Sequence, residues 1–430
     1  MSCTSCILPY IHLYAEPNGE VKPCCIAGGF EEKLSLRDNN VDEVFNSKQM
    51  KELRESMEKG ERHSACNICY EREDRGEKSP RERFNENTLW KMPEVKEDFS
   101  VDTDLQHVDI RFSNLCNFKC RMCNHTFSSN WYDDAAEVEG VDKKPEKKVI
   151  TVSDTIVEDL KPYIKNVKSW YFAGGEPLIM PQHAELLNYL HTNLPTKQIY
   201  GLEKKNLSIH CNTNLSILQF EKYNFLDIWF DFLKVFLSIS CDGVEKVGEY
   251  QRTGFKHDVF VKNLKKIREY FNPGSTYVSS IGYNYNFQYT TTIYNVYHMW
   301  DFYQYMMDNN FIEDESNIDF YFAWAPSRSA LKFLPRGEKG KILKYLESIQ
   351  TKFSESETQN RIQSIIDFTK EEPDEQFYKY QAYGESYLQN KKIDELRGTS
   401  LKQLNGIDLN AGFNPKVGSK EWLQMQKKLI

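Results

Sequence analysis

The sequence predicts an α/β protein: a partial (β/α)6 barrel set between a small N-terminal domain and a helical C-terminal extension. Three observations carry this. From residue 106 to 335, strand-like runs alternate with helical ones, the repeated β-α pattern that builds a parallel sheet. Within those strands, polar and apolar side chains alternate with period two. Six of the eleven cysteines fall in the first 75 residues, and none follows residue 336.

Candidate strands lie at 107–113, 169–173, 207–212, 234–240, 289–294 and 318–325, with helical patterns at 153–165, 181–193, 224–232, 259–270 and 296–309. Six such units in series can curl into a barrel. Asp109, Arg111 and Ser113 share one face of the first strand, opposed by Ile110 and Phe112. Ser208, His210 and Asn212 oppose Leu207, Ile209 and Cys211, and Ser238 with Ser240 opposes Leu237 and Ile239. The outer face of a β/α barrel meets helices, so the polar face should line a wet substrate lumen. Before this region come a strand at 10–14, a turn at 17–19 and a helix at 41–59 bearing Val44, Met50, Leu53 and Met57. The charge-rich stretch at 71–105 reads as a connector. Beyond 336, helices are expected at 339–350, 359–369 and 389–396. The domain layout is therefore 1–75, connector 76–105, barrel 106–335 and extension 336–430.

With 430 residues, the chain has material for two or three domains. A net charge of −8 offers nothing to nucleic acid or an anionic membrane. Residues 1–7 show no basic segment leading into an apolar one, so no secretory signal is expected. The most apolar stretch, 225–240, is interrupted by Asp227, Asp231 and Lys234 and does not read as a membrane span. Eleven cysteines without an export signal point to reduced thiols that bind metal, in a cytoplasmic protein.

Cys116, Cys120 and Cys123 are spaced C-x3-C-x2-C. Such a loop can place three thiolates on three irons of a [4Fe–4S] cube and leave the fourth iron open. The triplet follows the first barrel strand, at the end where β/α loops carry active sites. A structural zinc is the alternative, with His125 or Cys211 as fourth ligand. Gly174, Gly175 and Glu176 end the second strand. The glycines let a ligand approach the backbone, and the carboxylate can hold an ammonium group; taken alone, the segment would be an ordinary turn. Ser240 and Asp242 end the fourth strand and suit the hydroxyls of a ribose, though Asp-Gly is also a plain turn signal. Cys211 and Cys241 fall on apolar positions and read as buried small hydrophobes.

Together these residues resemble the radical S-adenosylmethionine (SAM) superfamily. Cys116, Cys120 and Cys123 match its cluster loop, Gly174-Gly175-Glu176 its methionine-amino motif, and Ser240 with Asp242 its ribose-binding strand end. Asn214, in Cys-Asn-Thr-Asn-Leu, resembles its third-strand segment. Arg252, in Tyr-Gln-Arg-Thr-Gly-Phe, resembles an arginine near SAM, and Met122 takes a position that packs near the adenine. The N-terminal region is similar to a SPASM/twitch-type auxiliary-cluster domain, which in relatives usually follows the barrel and here precedes it. That resemblance assigns Cys6, Cys24, Cys66 and Cys69 to a second [4Fe–4S] site, with Cys25 competing for the place of Cys24, and Cys3 either replacing Cys6 or standing by. Zinc again suits four thiolates.

The resemblance implies an enzyme that reductively cleaves SAM to a 5′-deoxyadenosyl radical. The radical then abstracts hydrogen from a small-molecule or peptide substrate, while the auxiliary cluster transfers an electron. A single auxiliary site leans toward the smaller twitch form, whose members oxidise carbohydrate-like alcohols. A reductant such as flavodoxin or ferredoxin is implied as partner. The rival is a non-catalytic iron–sulfur or zinc scaffold, against which the complete SAM-site set argues.

Overall fold

The period-two runs of the central region all become strands in the computed structural model, which describes residues 4–141, 148–199, 201–274, 282–372 and 383–409. Cys3 lies outside these described residues. The chain divides into two compact units: Met1–Leu115 with Val149–Asn212 and Leu218–Phe236, and Cys116–Lys148 with Thr213–Ile217 and Leu237–Ile430.

The first unit carries β1 (His12–Ala15), β2 (Glu20–Lys22), β3 (Leu34–Ser35), β4 (His107–Ile110), β5 (Ser169–Phe172), β6 (Thr196–Ile199) and nearly all of β7 (Leu202–Thr213). β8 (Phe232–Ser240) begins in the first unit and ends in the second, which holds β9 (Asn272–Pro273), β10 (Gly282–Thr291) and β11 (Ile318–Phe322). In the first unit the order is β3-β2-β1-β4-β5-β7, with β8 next to β7. β1, β4, β5 and β7 are mutually parallel. β2 and β3 add antiparallel strands at one edge, and β6 folds back on β7 as a hairpin. In the second unit β10 neighbours the end of β8, and β9 and β11 both run parallel to β10. The result is a mostly parallel sheet with helices between its strands, an α/β fold.

Register decides what each face carries. Tyr14, Asp109, Tyr171 and His210 stand in one row across β1, β4, β5 and β7. The next row, Leu13, Val108, Trp170 and Ile209, points the opposite way because strand side chains alternate. Val108, Ile110, Trp170, Phe172 and Ile209 are buried on that apolar face. The helix Pro181–Asn193, with proline in its first turn, buries Ala184, Leu187 and Leu190 at helical spacing. In the second unit Trp131, Ala135 and Val138 form a core cluster with Ile393 of the helix Tyr383–Arg397.

Several expectations need correction. Residues expected as a strand at 10–14 begin as a helical turn, Leu8–Ile11, and only then extend into β1. Pro9 sits at the start of that turn, where its missing N–H costs nothing. The helix expected at 41–59 is two, Val41–Phe45 and Lys48–Glu58. Ser47 caps the second by accepting from the Met50 N–H, which restarts the chain there. The helix expected at 153–165 keeps only Ile156–Leu160, because Pro162 turns the chain into a 3₁₀ segment, Lys161–Tyr163. The extension folds as expected, into Arg336–Gln350, Ser356–Lys370 and Tyr383–Arg397, with a short Leu401–Asn405 added. Among the described residues no helix is long and apolar enough to cross a membrane.

Candidate functional site

In the second unit, the cysteine loop is held by backbone. Lys119–Cys120 pairs antiparallel with Arg252–Thr253, so Arg252 stands opposite Cys120. The Cys123 N–H donates to the Cys120 carbonyl at 2.9 Å, closing the tight end of the triplet. Backbone N–H groups are already turned to sulfur: Phe118 N–H reaches Cys116 Sγ at 3.4 Å, and the Asn124 N–H serves Cys123. Burial pushes the Cys123 thiol up to about 12 and raises Cys120 as well, with Arg252 opposing the shift at Cys120. Bound iron would hold both as thiolates.

Arg252 links this loop to the end of β8. Its Nε donates to Asp242 Oδ2 at 2.6 Å and its Nη1 lies 3.9 Å from Cys120 Sγ. Asp242 is fully buried, and its Oδ1 accepts the Thr290 N–H at 2.8 Å. Ser240, at the end of β8, is half-buried. Asn214 donates to Asn117 Oδ1 at 2.9 Å, and Asn117 donates to Ser216 Oγ at 2.8 Å, which ties Asn214 to the cysteine loop. Met122 Sδ accepts from Gln251 Nε2 at 3.7 Å. Thus Cys116, Cys120, Cys123, Met122, Asn214, Ser240, Asp242 and Arg252 share one unit.

Gly174, Gly175 and Glu176 belong to the other unit, laced onto the backbone that leads to Cys116. Gly175 N–H donates to Ser113 O at 3.2 Å, and Glu176 N–H to Leu115 O at 2.9 Å. A side chain at Gly175 would place its Cβ 2.1 Å from the Leu115 oxygen, and Gly174 has φ +118°, so both positions require glycine. Glu176 is buried, and its Oε1 accepts the Leu178 N–H at 3.2 Å.

The N-terminal cysteines also converge. Cys6, Cys24, Cys66 and Cys69 line one pocket walled by Pro9, Pro23, Ile26, Ala27, Ala65 and Arg81. Backbone N–H groups of Leu8, Ile26 and Arg81 serve the sulfurs of Cys6, Cys24 and Cys69. Burial raises all four thiols, Cys6 and Cys66 to about 12, while the Arg81 charge opposes the shift at Cys6, Cys66 and Cys69. Cys25 is not in that lining; burial raises its thiol, and the charges of Asp109, Arg111 and Glu16 act on it. Among the described residues, no three His, Cys, Asp or Glu side chains meet at a point where a single metal ion would sit. A cube takes each thiolate on its own iron and does not ask for that convergence.

Sequence reading missed part of the polar face. In the first unit, Arg111 Nη1 donates to Asp109 Oδ1 at 2.7 Å, and its guanidinium lies 4.4 Å over the Tyr14 ring. Burial pushes the Asp109 carboxyl up to about 6, with Arg111 opposing. His210 meets Tyr171 edge-on at 4.4 Å, and burial drives its imidazole down to about 3, so it is neutral. Asn212 Oδ1 and Glu16 Oε2 are buried without a protein partner. Tyr14 and Tyr171 were not singled out from sequence; the strand register was the missing signal.

Residues 110–295 match the Radical SAM superfamily, and residues 6–70 match SPASM, an iron–sulfur cluster-binding domain. The radical SAM match thus covers the central part of the chain, with the SPASM match N-terminal to it. With these domains come a [4Fe–4S] cluster, SAM and an auxiliary iron–sulfur cluster. The cysteine sets, with their N–H donors to sulfur, fit such clusters. No curated protein matches the chain. Similar solved structures include native anSMEcpe with bound AdoMet and Cp18Cys peptide, at 16% identity over 57% of this chain and 60% of that one, TM-score 0.36. Streptococcus suis SuiB bound to precursor peptide SuiA shows 13% identity over 67% of this chain and 60% of that one, TM-score 0.32. TYW1 with a lysine-pyruvate adduct shows 15% identity over 57% and 72%, TM-score 0.27. The chain spans 60% of the length of the first two.

Proposed function

We propose that this protein reductively cleaves SAM and abstracts hydrogen from a polar small molecule or a peptide. The observation that carries the reading is Arg252, which joins the cluster cysteine Cys120 to Asp242 at the strand end. When bound, the cluster and SAM supply a 5′-deoxyadenosyl radical that takes a hydrogen atom from the substrate.

The chain's residues do the holding. Cys116, Cys120 and Cys123 bind three irons of the cluster. Glu176 and the Gly174–Gly175 backbone take the amino end of SAM; a fixed, buried carboxylate suits an ammonium group. Ser240, Asn214 and Asp242 take polar groups of the nucleoside. Asp242 is pre-oriented by Arg252 and Thr290, and a carboxylate with two donors still has acceptor capacity for a hydroxyl. Met122 packs at the adenine. Cys6, Cys24, Cys66 and Cys69 bind the auxiliary cluster, which exchanges an electron with the substrate side. A flavodoxin or ferredoxin supplies the reducing electron. The functional layout is 1–75 auxiliary domain, 76–105 connector, 106–335 radical SAM core and 336–430 extension, in the cytoplasm. The polar row around Asp109 and Arg111 supports a hydrogen-bonding substrate over an apolar one.

Anaerobic reconstitution, iron counting and a 5′-deoxyadenosine assay with dithionite and SAM test this. Two cubes give about eight irons per chain, with SAM cleavage abolished in Cys120→Ala. Zinc in place of iron, with no cleavage, would establish the scaffold instead.

A further inference from the structure

The second unit accounts for nearly every backbone carbonyl of the cysteine turn. The Cys120 oxygen accepts from Trp131 Nε1 at 2.7 Å as well as from the Cys123 N–H. The Arg121 oxygen accepts from Arg328 Nε at 3.1 Å, and the Cys123 oxygen accepts from Nη2 of the same arginine. One guanidinium therefore spans the turn between the last two cysteines. A buried carbonyl needs a partner, and a planar fork can serve two at fixed separation.

Arg328 is itself held rigidly. It is 1% exposed, its Nη1 pairs with Glu139 Oε1 at 2.7 Å, and its guanidinium lies 4.6 Å over the Trp131 ring. Arg397 lies 4.9 Å from the same ring. The backbone oxygen of Arg328 accepts from Asn390 Nδ2 at 2.7 Å, and Tyr294 donates to Asn390 Oδ1 at 2.7 Å. Asn390 and Arg397 belong to the helix Tyr383–Arg397.

That helix grips the loop at a second point. Arg121, fully buried, stacks 3.7 Å from the Tyr250 ring centre and pairs with Asp394 at 2.9 Å. Tyr250 donates its hydroxyl to Asp394, also at 2.9 Å. Arg397 in turn pairs with Asp134 at 2.7 Å, the carboxylate that receives Lys119 beside Cys120.

We propose that Arg328 is a positioning residue for the cluster held by Cys116, Cys120 and Cys123, and that the helix Tyr383–Arg397 is a wall of that site. Arg328 acts through geometry: its fork fixes two carbonyls so that the intervening turn presents Cys120 and Cys123 in one orientation. The inference rests on the radical SAM reading above.

The test uses the full chain, reconstituted anaerobically, as parent, Arg328→Lys, Arg328→Gln and Asp394→Asn. Iron content and the electron paramagnetic resonance signal of reduced protein, with and without SAM, are measured. Only the open-iron cluster responds to SAM, so the auxiliary signal reports that the variant is folded. Loss of a fixed outer-shell partner should weaken loading about tenfold or more. Both Arg328 variants should therefore lose the SAM-responsive signal while the auxiliary signal stays, and lysine should not rescue. Loading equal to the parent in both variants, or full rescue by lysine, overturns the proposal. If the Arg328 variants also lose the auxiliary signal, Asp394→Asn decides: partial loss of the SAM-responsive signal supports the wall, and an unchanged signal overturns it. A parent without SAM-responsive signal would refute the underlying radical SAM reading instead.

Discussion

Gly175→Ala puts the fit between the Gly-Gly-Glu segment and the backbone before Cys116 to a direct test. The added Cβ would stand 2.1 Å from the Leu115 oxygen, 2.6 Å from its carbonyl carbon and 2.9 Å from the Asn114 carbonyl carbon. All three are backbone atoms, so no rotamer change relieves the clash. Reaching an ordinary carbon–oxygen separation of about 3.2 Å means parting the two segments by roughly 1 Å. Those segments are joined by the Gly175 N–H to Ser113 and the Glu176 N–H to Leu115 bonds. Losing one buried bond costs about 1–3 kcal/mol, and the overpacking itself costs about 1–3 kcal/mol. The apo protein should thus lose about 2–6 kcal/mol by urea unfolding followed by far-UV circular dichroism. Leu115 is bonded to Cys116, and a misplacement of about 1 Å near reacting groups can cost about 100-fold, so 5′-deoxyadenosine formation should fall to that extent. An apo variant within about 0.5 kcal/mol of the parent, the ordinary range for neutral substitutions, would refute the packing argument.

Two further outcomes concern single side chains. His183 is fully buried with neither ring nitrogen partnered, and burial drives its imidazole down to about 3. Its folded value lies below the unfolded one of about 6.5, so the stability it gives is present above pH 6.5 and is lost as pH falls toward 3. His183→Leu should gain about 1.4 kcal/mol more at pH 5.5 than at pH 7.5; equal urea midpoint changes at the two pH values would count against it. In the auxiliary pocket, Cys24→Ser should drop the iron content by about four per chain while Cys25→Ser retains it. The reverse result would exchange the two ligands.

The regular part of the fold was written locally. Alternation along 207–212 or 234–240 gives a strand, and the triplet spacing sets three cysteines on one loop after the first barrel strand. What stayed hidden depends on partners far along the chain. The helical turn at Leu8–Ile11 is buried on every side, so no periodicity separated it from the strand that follows. The break at Asn46–Ser47 rests on a cap, and Asn46 also exchanges hydrogen bonds with Val101, 55 residues away. Arg328 lies about 200 positions from the loop it spans, in a stretch with no cysteine and no motif. Tyr171 looked like one more aromatic strand residue until register set it beside Asp109 and His210.

The pairing of β1 with β4 also constrains how the chain can be cut. His12 through Ala15 run hydrogen-bonded beside His107 through Ile110, and the two histidines stack at 4.6 Å. Removing the first 75 residues would bare one side of β4, leaving unpaired N–H and C=O groups along a fully buried strand. Such an edge recruits whatever strand it meets, including another copy of itself. The N-terminal cysteine region therefore serves as a side cover for the strand that feeds the cluster loop, and excising it would yield an aggregating fragment in place of a minimal enzyme.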